Sequence, residues 1–270
     1  MKTSIWVMIA IMLIFITVMI GTLLFSRYLL SVLTANNLEY IVEYSPVGQY
    51  FYFLYIVTAL LLITWISLIL IKHGLTKIIY LFFGFLVVVV LFDFFLYLLP
   101  PLITIIATAI ISIYYFKFSG TIGKDLVNII LFITVGSIMA LSLGFVLSVI
   151  LTAVIAIYDY IAVYKTKHMI TLVKGLGNNF YLSGITLLAK KETKRRIMIG
   201  GGDLIFPSIL FTATFLYFSH IAAYFVLFGA LAGISYIFIF GKKGKAYPAM
   251  AFMGPAELIM LGVYILLTVL

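Results

Sequence analysis

The sequence predicts an all-α polytopic membrane protein with nine transmembrane helices, folded as one domain over residues 1–270. Three observations predict it. The chain is 66% hydrophobic and only 9% Asp, Glu, Lys or Arg, against about a quarter charged in a soluble domain. Apolar runs of about 20 residues recur along almost its whole length, each long enough to cross a hydrocarbon core of about 30 Å. The basic residues, finally, collect on one predicted side of the membrane.

The predicted helices cover 5–26, 49–71, 77–99, 101–117, 125–141, 144–164, 197–217, 220–240 and 248–270. The first follows Lys2 but is too long, and lacks the small-residue cleavage pattern, for a signal peptide; it reads as a retained helix. Pro100-Pro101 divides the third helix from the fourth, because each proline lacks a donor and restricts the residue before it. Only Ser142-Leu143-Gly144 offers a turn between the fifth and the sixth. Helices one to six thus fall within 1–164 and helices seven to nine within 197–270. Residues 165–196 are a cytoplasmic connecting loop whose middle, VKGLGNNFYLSGITLLAK, mixes turn formers with apolar residues and reads as mobile or interfacial rather than as a tenth span.

Nine crossings put the amino terminus and the loops after helices two, four, six and eight on the same side. That side holds Lys2, Lys72, Lys77, Lys117, Lys124, the basic residues between 165 and 196, and Lys242, Lys243 and Lys245. Of the 17 basic residues only Arg27 lies opposite. The positive-inside bias then makes the amino terminus and the 165–196 loop cytoplasmic and the carboxyl terminus external. A formal charge of +9 distributed in this way points to anionic membrane lipids rather than nucleic acid. There is no cysteine, and His73, His168 and His220 are scattered, so thiol chemistry is excluded and no metal-site spacing is present.

Asp93, Asp159, Asp203 and Glu257 lie within the apolar runs, where a carboxylate costs several kcal/mol on insertion scales, so each is a candidate functional residue. Depth separates them. Asp159 falls about 8 Å, and Asp203 about 9 Å, inside the cytoplasmic ends of successive helices at 1.5 Å per residue. Two carboxyl groups within reach of one another cannot readily both ionise, and one proton is shared. The ionised member activates a water while the neutral one donates to a carbonyl oxygen, which is aspartic-protease chemistry and needs no metal or organic cofactor. The roles within the pair stay unassigned. A proton or ion relay is the competing reading: a carboxylate-lined transporter or channel through Asp159, Asp203 and Glu257.

Gly200, Gly201 and Gly202 precede Asp203 and would admit another backbone, a bound peptide included. Pro207 would deprive the Asp203 carbonyl of its i+4 donor. Pro248, with Ala249 and Met250, falls at the level of the two aspartates, either as a helix-starting proline or beside unsatisfied backbone that pairs with an extended substrate. Glu257 lies near mid-bilayer and reads as a buried polar contact or as hydration of a cavity. Asp93 reads as an ion-pair partner of Arg27 or as a side chain snorkelling to the interface. Tyr158 is placed to orient Asp159 through its hydroxyl, and Gly229 with Gly233 forms a packing face.

At these residues the chain resembles the presenilin and signal-peptide-peptidase family of intramembrane aspartyl proteases. The family carries a Tyr-Asp pair in its sixth helix, Gly-x-Gly-Asp in its seventh and Pro-Ala-Leu at the start of its ninth. Tyr158-Asp159 and Gly200-Gly201-Gly202-Asp203 match the first two, and Pro248-Ala249-Met250 matches the third with methionine for leucine. The resemblance implies a presenilin-like fold of the microbial kind and hydrolysis of peptide bonds within transmembrane helices at an Asp159/Asp203 dyad. It also implies transmembrane protein or peptide substrates and activity without obligate protein partners. Type IV prepilin peptidases also use Gly-x-Gly-Asp and are the nearer enzyme alternative, but lack the late proline cluster. A cytoplasmic loop between helices six and seven matches the presenilin orientation in a cell membrane, and implies substrates whose amino termini lie outside.

Overall fold

The computed structural model describes residues 5–35, 46–118, 120–166, 184–190, 195–241 and 247–269. The helices are α1 (Ile5–Ala35), α2 (Pro46–Lys72), α3 (Thr76–Leu98), α4 (Pro101–Ile113) and α5 (Thr121–Tyr160). A hairpin of β1 (Gly184–Lys190) and β2 (Arg195–Gly200) follows, then α6 (Gly201–Tyr217), α7 (His220–Phe240) and α8 (Met250–Val269). Single π turns, Tyr114–Phe118 and Ile161–Lys165, prolong α4 and α5.

Among the described residues six helices are long and apolar enough to cross a membrane: α1, α2, α3, α5 with its π turn, α7 and α8. α6, and α4 with its π turn, are apolar but shorter. The outer surface carries large apolar side chains such as Trp6, Leu81 and Phe240. In hydrocarbon these face their preferred solvent, and a helix suits that setting because it pairs its backbone groups within one segment.

α5 runs through both the fifth and sixth sequence-predicted helices. Gly144, at φ 64° and ψ −168°, breaks it in the middle, a conformation open essentially to glycine alone. Ser148 donates to the Gly144 carbonyl at 2.6 Å, so the break leaves that acceptor satisfied. The Ser-Leu-Gly turn expected there is thus present as a kink.

The core is built by α1, α5, α6 and α8. Ile11, Phe15 and Val18 meet Leu131, Phe132, Leu204, Ile209, Met250 and Met253 in one buried cluster. α7 closes the far side of α8 by small-residue packing. A methyl group at Gly229 would fall 2.7 Å from Glu257 Cα, and one at Gly233 2.6 Å from Met253 Cα, so the backbones touch where both side chains are hydrogen. The expected Gly229–Gly233 packing face is this contact.

The structure differs from the sequence expectation at 184–200. A helix from 197 was expected, but 195–200 is β2, paired antiparallel with β1 as Gly184↔Gly200, Ile185↔Ile199, Thr186↔Met198 and Leu187↔Ile197. Gly200 is extended, at φ −66° and ψ 144°, as the N-cap of α6, and Ile197 and Ile199 before it suit a strand. Ile185 and Ile199 are both buried in the main core, so the hairpin is docked on the bundle by this cross-strand pair. Residues 167–183 of the expected connecting loop, together with Lys2, Lys191, Lys194, Lys242, Lys243 and Lys245, lie outside the described residues.

Candidate active site

Asp159 and Asp203 come together at helix ends. Asp159 is the penultimate residue of α5, immediately before the π turn Ile161–Lys165; such turns inside helices recur at functional sites. Asp203 is in the first turn of α6, whose N-cap is Gly200. It is therefore nearer its helix start than the six residues expected, because β2 takes up 195–200. Both aspartates are partly buried, and the Asp159 charge acts on Asp203 electrostatically.

Each carboxylate meets backbone amides. The Met250 N–H donates to Asp159 Oδ2 at 3.0 Å, and the Ala251 amide is a second partner. These are the first amides of α8, which have no intrahelical acceptor. Asp159 thus takes the positive end of a helix lying 91 residues further along the chain. Asp203 turns back to the Gly200 amide, the acid half of a capping box. A methyl group on Gly200 would sit 3.2 Å from Asp203 Oδ2 and one on Gly202 3.3 Å from the Phe206 ring. Pro207 lies buried within α6 and, having no N–H, leaves the Asp203 carbonyl free of its helical donor.

Pro248, Ala249 and Met250 are all buried, and α8 starts at Met250. The Ala249 carbonyl accepts from Phe252 and Met253, so Pro248 precedes the helix rather than occupying its first turn. Tyr158 forms a side-chain hydrogen bond to Thr64 of α2 and also feels the Asp159 charge. Its hydroxyl therefore ties α5 to α2 beside the site.

Two expectations take another form. Glu257 is fully buried, yet neither carboxyl oxygen has a hydrogen-bond partner among the described residues, so the expected polar contact is absent there. The Arg27 guanidinium lies over the Phe215 ring, 5.4 Å from its centroid, as a cation–π pair. α1 continues to Ala35, which carries Arg27 two turns inside the helix, and no Arg27–Asp93 ion pair occurs among the described residues.

Sequence reasoning passed over Asp125 and Asn128. Asp125 Oδ1 accepts from the Thr186 N–H at 3.1 Å. The buried Asn128 side chain donates to the Gly184 carbonyl at 2.8 Å and accepts from the Tyr115 hydroxyl at 2.9 Å. The signal available was their i, i+3 spacing, which puts both on one face of the first turns of α5.

Among the described residues no group of three His, Asp or Glu side chains could hold a metal ion. No curated protein matches the chain. Among solved structures, a presenilin family intramembrane aspartate protease in space group C222 is 23% identical, with a TM-score of 0.67, over 96% of this chain and 99% of that one. The same description in space group P2 applies to a chain 22% identical, with a TM-score of 0.68, over 96% of this chain and 97% of that one. At this identity the likeness speaks for the fold. The family described as "Signal-peptide peptidase, presenilin aspartyl protease" matches residues 11–267. With that match running from α1 to the end of α8, through both aspartates, the chain belongs to the signal-peptide peptidase and presenilin family and is an intramembrane aspartyl protease.

Proposed function

We propose that Asp159 and Asp203 are the hydrolytic pair of this protease and that it cuts peptide bonds within transmembrane helices. The observation that carries the reading is the convergence of three distant segments. Asp159 holds the Met250 amide and acts electrostatically on Asp203. In the reaction one carboxyl, ionised, takes a proton from water as the oxygen attacks the scissile carbonyl. The other, protonated, donates to the carbonyl oxygen as it gains charge. Collapse of the tetrahedral intermediate returns a proton to the departing amine, and the pair regains its single shared proton.

A bond inside a helix is shielded, so the substrate must unwind near the site, and its freed backbone groups need new partners away from water. The outer edge of β2, which carries no partner strand among the described residues, supplies them in the manner of strand addition. Gly200, Gly201 and Gly202 keep that approach free of side chains. Tyr158, Pro248, Ala249 and Met250 shape the opposite wall, with Met250 fixing Asp159 through its amide.

Counting the two halves of α5 separately, and α4 and α6 as spans, gives nine crossings in a cell membrane. The amino terminus and the segment containing the hairpin are then cytoplasmic and the carboxyl terminus external. Substrates would enter with their amino termini outside. The reading is tested with purified wild type and separate Asp159→Asn and Asp203→Asn variants, each offered a panel of membrane-spanning peptides. Cleavage by wild type alone is expected; cleavage at the full wild-type rate by either variant would remove that residue from the pair.

A further inference from the structure

The hairpin has two outer edges, and the structure closes one of them. The Thr186 N–H points to Asp125 and the Gly184 carbonyl to Asn128. Residues two apart on a strand direct their backbone groups to the same side, so the outer edge of β1 is capped at both positions by side chains of α5. Antiparallel pairing alternates hydrogen-bonded and non-hydrogen-bonded pairs. Since Thr186 faces away from β2, the pairs Thr186↔Met198 and Gly184↔Gly200 are of the second kind. The backbone groups of Met198 and Gly200 then point away from β1, to the edge of β2 that carries no partner strand among the described residues. The Gly200 amide, turned to Asp203, agrees with this assignment.

The cap is built into the interior. Asn128 and Tyr115 are fully buried, Ile185 is 1% exposed and Thr186 7%. Asn128 is fixed at both ends, by Tyr115 on its oxygen and Gly184 on its nitrogen, which sets its amide orientation. A buried side chain held in this way specifies one register rather than merely filling space. The hairpin leads without a break from this anchorage into Asp203: β2 ends at Gly200 and α6 begins at Gly201.

The geometry points to Asp125 and Asn128 as positioning residues for cleavage: they fix the hairpin on α5, leave β2 as its one pairing edge, and set the register in which a substrate segment meets Asp203. This rests on Asp159 and Asp203 being the hydrolytic pair. Neither positioning residue touches the reacting bond; they act through Gly184 and Thr186. Loss of the cap lets β1 shift and also opens a second edge to the substrate. The cut is then displaced along the substrate as well as slowed.

The test uses the full chain in phosphatidylcholine–phosphatidylglycerol vesicles and a synthetic single-span peptide whose products are resolved by mass spectrometry. Asp125→Ala is expected to spread cleavage over neighbouring bonds and to lower kcat about tenfold, the scale of one charge-assisted hydrogen bond. Asp125→Asn retains an acceptor oxygen and is expected to restore the wild-type product pattern. Amide exchange gives a readout independent of activity: protection at 184–188 and 196–200 should fall in Asp125→Ala while that of α7 and α8 is kept. If Asp125→Ala does not fold, Asn128→Leu, which removes the donor to Gly184 together with the acceptor for Tyr115, carries both readouts. A folded variant with unchanged products and unchanged exchange overturns the proposal while leaving the aspartate pair standing. A wild type that cuts no peptide removes the pair, and the exchange measurement alone then decides whether the cap anchors the hairpin.

Discussion

Asp159 was conspicuous because a carboxylate in an apolar helix needs a reason, and the structure supplies one in the first amides of α8, while its charge acts on Asp203. Its cap on α8 has a measurable cost. Asp159→Ala should lower stability by about 1 kcal/mol, as loss of a helix cap does, with Asp159→Asn, which keeps an acceptor, losing less; thermal unfolding in detergent compares them. Glu257 is the opposite case. Its depth was legible, but its surroundings were not, since they come from α7 pressing on α8 at Gly229. A buried carboxyl without a protein partner destabilises. Glu257→Met should therefore raise the unfolding temperature and leave the cleavage rate within about twofold; a fall in either would give Glu257 a role. Asp125 escaped notice because it lies near a predicted helix start, where an acid is ordinary.

At the scale of elements, the proline and glycine breaks were legible and the hairpin was not. Pro100-Pro101 does divide α3 from α4, and Gly144 does interrupt α5, because both act locally on φ and ψ. Ile197-Met198-Ile199 instead reads as the opening of the apolar run that follows. What makes it a strand is β1, across Lys191-Glu192-Thr193-Lys194, and the sign was the isoleucine on both sides of that polar quartet. Gly144→Ala should cost about 1–3 kcal/mol, the strain of a side chain in that backbone region. Gly233→Leu should cost more than Gly144→Ala, since its side chain would fall on Met253 backbone rather than in open space. Unfolding midpoints of the two variants settle the order.

The whole molecule was legible as a membrane bundle from composition alone, and its family from three short segments, Tyr158-Asp159, Gly200 to Asp203 and Pro248 to Met250, which are linked in the fold by the Asp159–Met250 hydrogen bond and the Asp159–Asp203 interaction. Among the described residues, helix lengths give six clear spans and two shorter apolar helices, so the nine-crossing plan rests on the distribution of basic residues. Because the chain has no cysteine, single cysteines report topology without background. A cysteine at Thr166 should label only from the cytoplasmic side and one at Ser219 only from outside; the reverse pattern inverts the molecule and the direction in which substrates enter. Asp159 and Asp203 working as one unit would make their substitutions non-additive, and cleavage rates measure that directly. Cleavage of a single-span peptide should fall to background in Asp159→Asn, in Asp203→Asn and in the double variant alike. Substantial cleavage by either single variant, reduced further in the double, would show two independent acids and contradict the account.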